Sequence, residues 1–188
     1  VELSISSSFD ANTTYEAGSN ITFTYIPVGA VEKTVYFVVD GSRAGTATVT
    51  ASGRQQTQYL SGMTHGSHTL LVYFTAEIDG ATVQSNELYY DLIIVDSSSN
   101  VPIIASTFRD ASTVQYTTMA IPYTVYTPAS MNSAVELYVN NVRVASLTVD
   151  RTVQTWSYRP DSTGTLTLKI VSGVTEKTFN VSVTASTI

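Results

Sequence analysis

Cysteine is missing altogether, and charge is scarce, at 13% of 188 residues. Without cysteine the chain does not belong with the small secreted domains that staple themselves with disulfides. The composition suits instead bacterial or phage β-domains that rely on the core alone. No run approaches the roughly 20 consecutive apolar residues that cross a bilayer as a helix. Lysine occurs three times, and the net charge is −6. Residues 1–97 hold ten acids and three bases, and residues 98–188 hold five and six. So acidic a first half excludes phosphate-backbone binding as a leading reading. The N-terminus shows no initiator Met, basic n-region or apolar h-region. The expectation is a piece of a longer, modular protein, whose location is not legible from this stretch.

What is present is enough to fold. Hydrophobic residues make up 43% and mean hydropathy is +0.11, so a core is expected rather than disorder. Ser, Thr and Tyr are plentiful, as on many secreted and cell-surface β-proteins.

Self-similarity at about 100 residues organises the chain. Ile21-Thr22-Phe23-Thr24-Tyr25-Ile26-Pro27 corresponds to Ile121-Pro122-Tyr123-Thr124-Val125-Tyr126-Thr127. Val35-Tyr36-Phe37-Val38-Val39-Asp40-Gly41 falls on Val135-Glu136-Leu137-Tyr138-Val139-Asn140-Asn141, and Arg43 on Arg143. Ser8-Phe9 echoes Thr107-Phe108 one residue out of step, and Gly66-Ser67-His68-Thr69-Leu70 echoes Gly164-Thr165-Leu166-Thr167-Leu168 two out of step. Two copies of one fold follow.

The apolar period is two. Ile21, Phe23 and Tyr25 alternate with polar residues, as do Val35, Phe37 and Val39, Leu70, Val72 and Phe74, and Leu88, Tyr90, Leu92 and Ile94. Val135, Leu137 and Val139, then Leu166, Leu168 and Ile170, then Phe179, Val181 and Val183 repeat the pattern. Alternation means one buried and one wet face, as in antiparallel sheets. Asp40-Gly41, Asn140-Asn141 and Asp79-Gly80 supply the positive φ of tight hairpins. About seven strands per copy predict an all-β protein of two tandem immunoglobulin-like antiparallel β-sandwiches, residues 1–97 and 98–188. Asp96-Ser97-Ser98-Ser99-Asn100-Val101-Pro102 is the boundary; so brief a linker predicts restricted motion and an extended rod.

Glu16-Ala17-Gly18-Ser19-Asn20-Ile21-Thr22-Phe23-Thr24-Tyr25 resembles the second-strand opening of bacterial and phage immunoglobulin-like modules. Gly66-Ser67-His68-Thr69-Leu70 with Ser85-Asn86-Glu87-Leu88-Tyr89-Tyr90-Asp91 is similar to their closing hairpin. The resemblance implies a setting in phage tail and fibre proteins or multi-domain bacterial surface proteins, often beside lectin-like domains. It carries no catalytic residue. Paired cysteines are absent, and so is a Trp in the Val35 or Val135 strands, which leaves immunoglobulin and fibronectin III topologies both open.

Residues able to do chemistry are few. His65 and His68 have no further His or Cys with which to complete a zinc site. Asp79, Asp91 and Asp96 near strand ends are candidates for the interdomain junction, but no dense acidic loop suits calcium. No nucleophile elbow, phosphate loop or cleft-forming insertion is visible. Trp156, the lone tryptophan, shares a strand face with Tyr158; the pair is either a glycan-stacking platform or a core element. Tyr36 and Tyr138 lie off the stripes and are expected to be exposed. Asn12, Asn20 and Asn180 begin Asn-x-Ser/Thr sequons. The sequence thus predicts no catalytic residue, metal or cofactor. It predicts a non-enzymatic spacer or stalk at an extracellular, virion or cell surface, with an adhesion or glycan-binding module as the alternative. The partners expected are neighbouring domains of the parent protein, virion proteins or surface glycans, and neither nucleic acid nor membrane insertion.

Overall fold

The computed structural model describes every residue except 1, 12, 30, 111, 116–119, 130, 132–133, 150–151 and 186–188. The chain divides into two units, Val1–Asp96 and Ser97–Ile188, each around its own core. No helix occurs among the described residues.

The period-two stripes of the first unit become strands because Val, Ile, Tyr, Phe and Thr suit a pleated, half-buried surface. They are β1 (Ser4–Ser6), β2 (Thr14–Glu16), β3 (Ile21–Val28), β4 (Lys33–Val39), β5 (Ser42–Val49), β6 (Gln56–Leu60), β7 (Gly66–Ile78), β8 (Ala81–Gln84) and β9 (Leu88–Val95). One sheet runs β1-β3-β6, the other β2-β9-β7-β4-β5, with β8 paired to the far end of β7. Ile5, Ile21, Phe23, Tyr25 and Leu60 of the first sheet share a cluster with Val35, Phe37, Leu70, Val72, Phe74, Leu92 and Ile94 of the second. Each such side chain contributes about 1.5–3 kcal/mol on burial.

The second unit repeats the plan with β10 (Ile103–Ala105), β11 (Thr113–Gln115), β12 (Ile121–Tyr126), β13 (Val135–Val139), β14 (Val142–Leu147), β15 (Val153–Tyr158), β16 (Gly164–Ser172) and β17 (Thr175–Thr184). Its sheets run β10-β12-β15 and β11-β17-β16-β13-β14. Both units are immunoglobulin-like sandwiches.

The pairing is not purely antiparallel. β2 runs parallel to β9, and β11 parallel to β17. After Ser6 the first strand leaves one sheet and continues in the other, where it lands beside the last strand with the same heading. The crossover is pinned by a side chain. Ser7 Oγ donates to the Thr24 carbonyl at 2.6 Å and accepts from Phe9 N at 3.0 Å. Ser106 does the same with Pro122 O at 2.5 Å and Phe108 N at 3.0 Å. Phe9 then packs its ring on Tyr15, Phe23 and Tyr90 at 5.2–5.5 Å.

The hairpin chemistry matches residue for residue. Asp40 and Gly41 have φ of 51° and 80°, Asn140 and Asn141 49° and 67°. Asp40 Oδ1 accepts from Thr69 N at 2.9 Å, and Asn140 Oδ1 from Thr167 N at 2.9 Å, which ties each turn to the adjacent strand. A bulge follows Phe37 in one copy and Leu137 in the other. Phe37 faces Val72 and Leu137 faces Ile170, so the two are equivalent core positions. Elsewhere two backbones nearly touch: a Cβ on Gly62 would lie 2.4 Å from Gly18 C and O, so only glycine fits.

Candidate functional site

The chemistry-bearing side chains of the first unit hold its loops. His68, near the start of β7, directs Nδ1 at Asp40 Oδ2 (2.5 Å) and Nε2 at the Thr64 carbonyl (2.8 Å). It joins the β4–β5 turn to the segment before β7. His65 Nδ1 accepts from the Asp96 amide at 2.9 Å and holds the end of β9. The two histidines therefore work on different segments. No cluster of three or more His, Asp or Glu suited to a metal occurs among the described residues. The three acids expected near the junction separate: Asp79 sits in the β7–β8 turn, Asp91 is buried within β9, and only Asp96 ends the unit.

Lys33 escapes sequence reasoning, because a lysine normally reads as surface. It occupies the inner-face position before Val35 and is fully buried. Its Nζ donates to the carbonyls of Gly29 at 2.5 Å and Val31 at 2.8 Å, wrapping the β3–β4 loop around a cation. Burial pushes its pKa below the usual lysine value. The available signal was its phase: Lys33, Val35, Phe37 and Val39 are one stripe.

Tyr36 and Tyr138, expected to be exposed, are half-buried, because each belongs to a ladder across three strands. Tyr36 stacks on Tyr73 at 5.2 Å and carries Arg43 over its other neighbour position, 4.5 Å from the ring centre. In the second unit Glu136 occupies the place of Tyr36. It accepts from Tyr138 Oη at 2.6 Å and lies 3.6 Å from Arg143, while Lys169 Nζ is 4.9 Å from the Tyr138 ring. The bond to Glu136 is the main cause raising the Tyr138 pKa.

Trp156 and Tyr158 lie on the inner side of β15, an edge strand, and pack half-buried against the core. Trp156 stacks on Tyr123 at 5.9 Å and 28°. The pair thus sits on the core-facing side of β15, with Trp156 against Tyr123. Tyr123 is almost wholly buried, which pushes its pKa up to about 12. Of the sequons, Asn12 lies outside the described residues. Asn20 is exposed, and Asn180 donates its backbone N–H to Asp110 Oδ1 at 2.6 Å.

A shallow cleft of about 270 Å³ opens on the β1-β3-β6 sheet, lined by Ser6, Ser7, Ser8, Thr24, Tyr25, Ile26 and Gln55. That lining offers hydroxyls and an amide, which form hydrogen bonds but provide no acid–base pair at neutral pH.

No protein-family model matches the chain, and no relative is found among curated proteins. Solved structures of similar type include the fibronectin(III)-like modules of CbhA from Clostridium thermocellum, at 15% identity over 96% of this chain and 94% of that one, TM-score 0.37. The titin domains Z1Z2 in complex with telethonin are 15% identical over 99% and 98%, TM-score 0.32. The BSP domain of a biofilm-associated protein is 19% identical over 92% of this chain and 29% of that one, TM-score 0.33. These are likenesses of fold type alone.

Proposed function

We propose that the chain is a non-catalytic spacer within a larger extracellular protein, of a phage virion (tail-associated) or a bacterial surface. The observation that carries this reading is where the reactive side chains are spent. His68, Asp40, His65 and Lys33 each secure a turn, a loop or a strand end, and the same turn and crossover devices recur in the second unit. Chemistry needs such groups convergent in a concave site. Here they are dispersed and engaged. A surface made polar by hydroxyls suits an extracellular setting, and the partners are neighbouring domains of the parent protein or virion proteins.

A glycan array followed by calorimetry on any hit tests this. The spacer reading expects no glycan bound more tightly than millimolar. Micromolar binding, lost in a folded Trp156→Ala variant, would replace it with an adhesion module.

A further inference from the structure

Asp-Gly occurs twice in the chain, at Asp40-Gly41 and Asp79-Gly80, and the backbone treats the two alike. Asp40 and Asp79 both have φ of 51°, and Gly41 and Gly80 have 80° and 81°. Each pair forms the two-residue loop of a hairpin. Their surroundings differ. Asp40-Gly41 follows β4 where it lies between β5 and β7, with Val39 paired to Ser42 on one side and Leu70 on the other. The Asp40 carboxylate is held at both oxygens, by Thr69 N at 2.9 Å and His68 Nδ1 at 2.5 Å, and its amide donates to Thr69 O at 3.0 Å.

Asp79-Gly80 overhangs its sheet. β4 reaches along β7 only as far as Ala76, so the pairs Glu77–Thr82 and Ile78–Ala81 have no third strand among the described residues. Every residue of β8 is exposed, and so are Asp79 and Gly80. Thr82 Oγ1 donates to Glu77 across the tip, at an exposed position. Among the described residues nothing holds the Asp79 carboxylate. A two-stranded hairpin alone is marginal in water. Its base is firm, since Ser85 N donates to Phe74 O and Phe74 N to Ser85 Oγ, both at 2.9 Å. Opening is therefore confined to the tip and does not require the unit to unfold.

We infer that Asp79-Gly80 is a site of spontaneous covalent modification, at which the backbone link passes from the α- to the β-carboxyl of Asp79, and that Asp40-Gly41 is protected from it. Without a Cβ at Gly80, its amide nitrogen is open to the Asp79 side chain. That nitrogen attacks Asp79 Cγ. The N–Cγ bond forms, the amide proton and the carboxyl hydroxyl leave as water, and a five-membered succinimide closes. Water then opens the ring. Attack at Cγ breaks the new bond and restores aspartate, whereas attack at the Asp79 backbone carbonyl carbon breaks the original peptide bond and leaves isoaspartate. Neither oxidant nor reductant is needed. Ring closure requires the turn to rotate out of its hairpin conformation, which the overhanging tip permits and the ties on Asp40 oppose. The product carries an extra methylene in its backbone, which no longer suits a two-residue loop pairing Ile78 with Ala81, so the tip stays open once it has reacted.

Ageing the full chain in mildly acidic buffer, well below its melting temperature, tests this. A protease that cuts before aspartate but not before isoaspartate, with mass spectrometry of the uncut peptides, gives a rate at each pair. The same measurement in denaturant gives the rate of each pair in the open chain, so the comparison isolates what folding does. The expected result is similar rates at the two pairs in denaturant and, in the folded chain, isoaspartate at Asp79 at least about tenfold faster than at Asp40. Asp79→Glu, whose longer side chain does not close a five-membered ring, should abolish the signal at that turn. A smaller difference between the folded-state rates, faster reaction at Asp40, or no isoaspartate at Asp79 when the denatured chain has accumulated it at both pairs would each overturn the inference. The wild-type rates decide even if the variant fails to fold.

Discussion

The outer face of the larger sheet is built twice in this chain, with different chemistry each time. In the first unit Arg43, Tyr36 and Tyr73 stack across β5, β4 and β7. In the second, Arg143, Glu136, Tyr138 and Lys169 form a charged and hydrogen-bonded ladder over the corresponding strands. The inner face differs too: Phe74, opposite Val35, becomes Ser172, opposite Val135. By contrast the turn tie, the bulge and the serine crossover are the same in both. The lesson is that the backbone devices define this sandwich, whereas the chemistry of its surfaces can be exchanged between copies.

The largest expected effect checks that the two cores are equivalent. Phe37 packs at 6.1 Å from Phe23 and 5.5 Å from Tyr25, so Phe37→Ala should destabilise the first unit by about 3–5 kcal/mol. Leu137→Ala should cost the second about 2–5 kcal/mol. Denaturant unfolding measures both, and a loss under about 0.5 kcal/mol at either would mean that the strand faces its stripe outward.

Next comes the polar intrusion at Ser172, which is fully buried with an Oγ that has no hydrogen-bond partner among the described residues. An unsatisfied buried hydroxyl costs about 1–3 kcal/mol. Ser172→Ala should therefore raise the stability of the second unit by roughly 1 kcal/mol, visible as a later midpoint at unchanged slope.

Alkaline pH separates the units further. The folded Tyr123 phenol keeps its proton to about 12, whereas the unfolded one releases it from 10.0. Over that window the folded state binds more protons, so the second unit loses stability as pH rises, and Tyr123→Phe should flatten the loss. Tyr25 acts in the same direction in the first unit, but Lys33 opposes it. Folding lowers the Lys33 pKa from 10.5, so the unfolded chain holds more protons and stability rises with pH up to that value. Melting curves across this range should show the opposing slope vanish in Lys33→Met.

The smallest effect concerns the turn. Asp40→Asn gives the first unit the second unit's residue, keeping the bond from Thr69 N and replacing the half-exposed carboxylate that meets His68 Nδ1 with an amide. The expected loss is under about 1 kcal/mol by the same unfolding measurement.

Much of this was legible in the chain, for reasons that vary with the element. Ile21, Phe23 and Tyr25, or Leu166, Leu168 and Ile170, were readable as inner faces because a strand has only two faces and period two names them. Asp40-Gly41 and Asn140-Asn141 were readable because few residues accept positive φ. Lys33 was not, since its burial depends on two loop carbonyls that no pattern announces. The parallel pairing of β2 was hidden because three residues carry no signal of direction. For Trp156 the period put it on one face with Tyr158 without saying whether that face is inner or outer, and its half-burial comes from β15 lying at a sheet edge, which is a property of topology.

The central claim, that both units hang on the same backbone tie, is tested most directly by native-state amide hydrogen exchange at Thr69 and Thr167. Both amides are held at 2.9 Å by a turn side-chain oxygen. The account predicts that each exchanges only with global unfolding of its own unit, at that unit's full unfolding free energy. Exchange at either one as fast as at an exposed turn amide would contradict it.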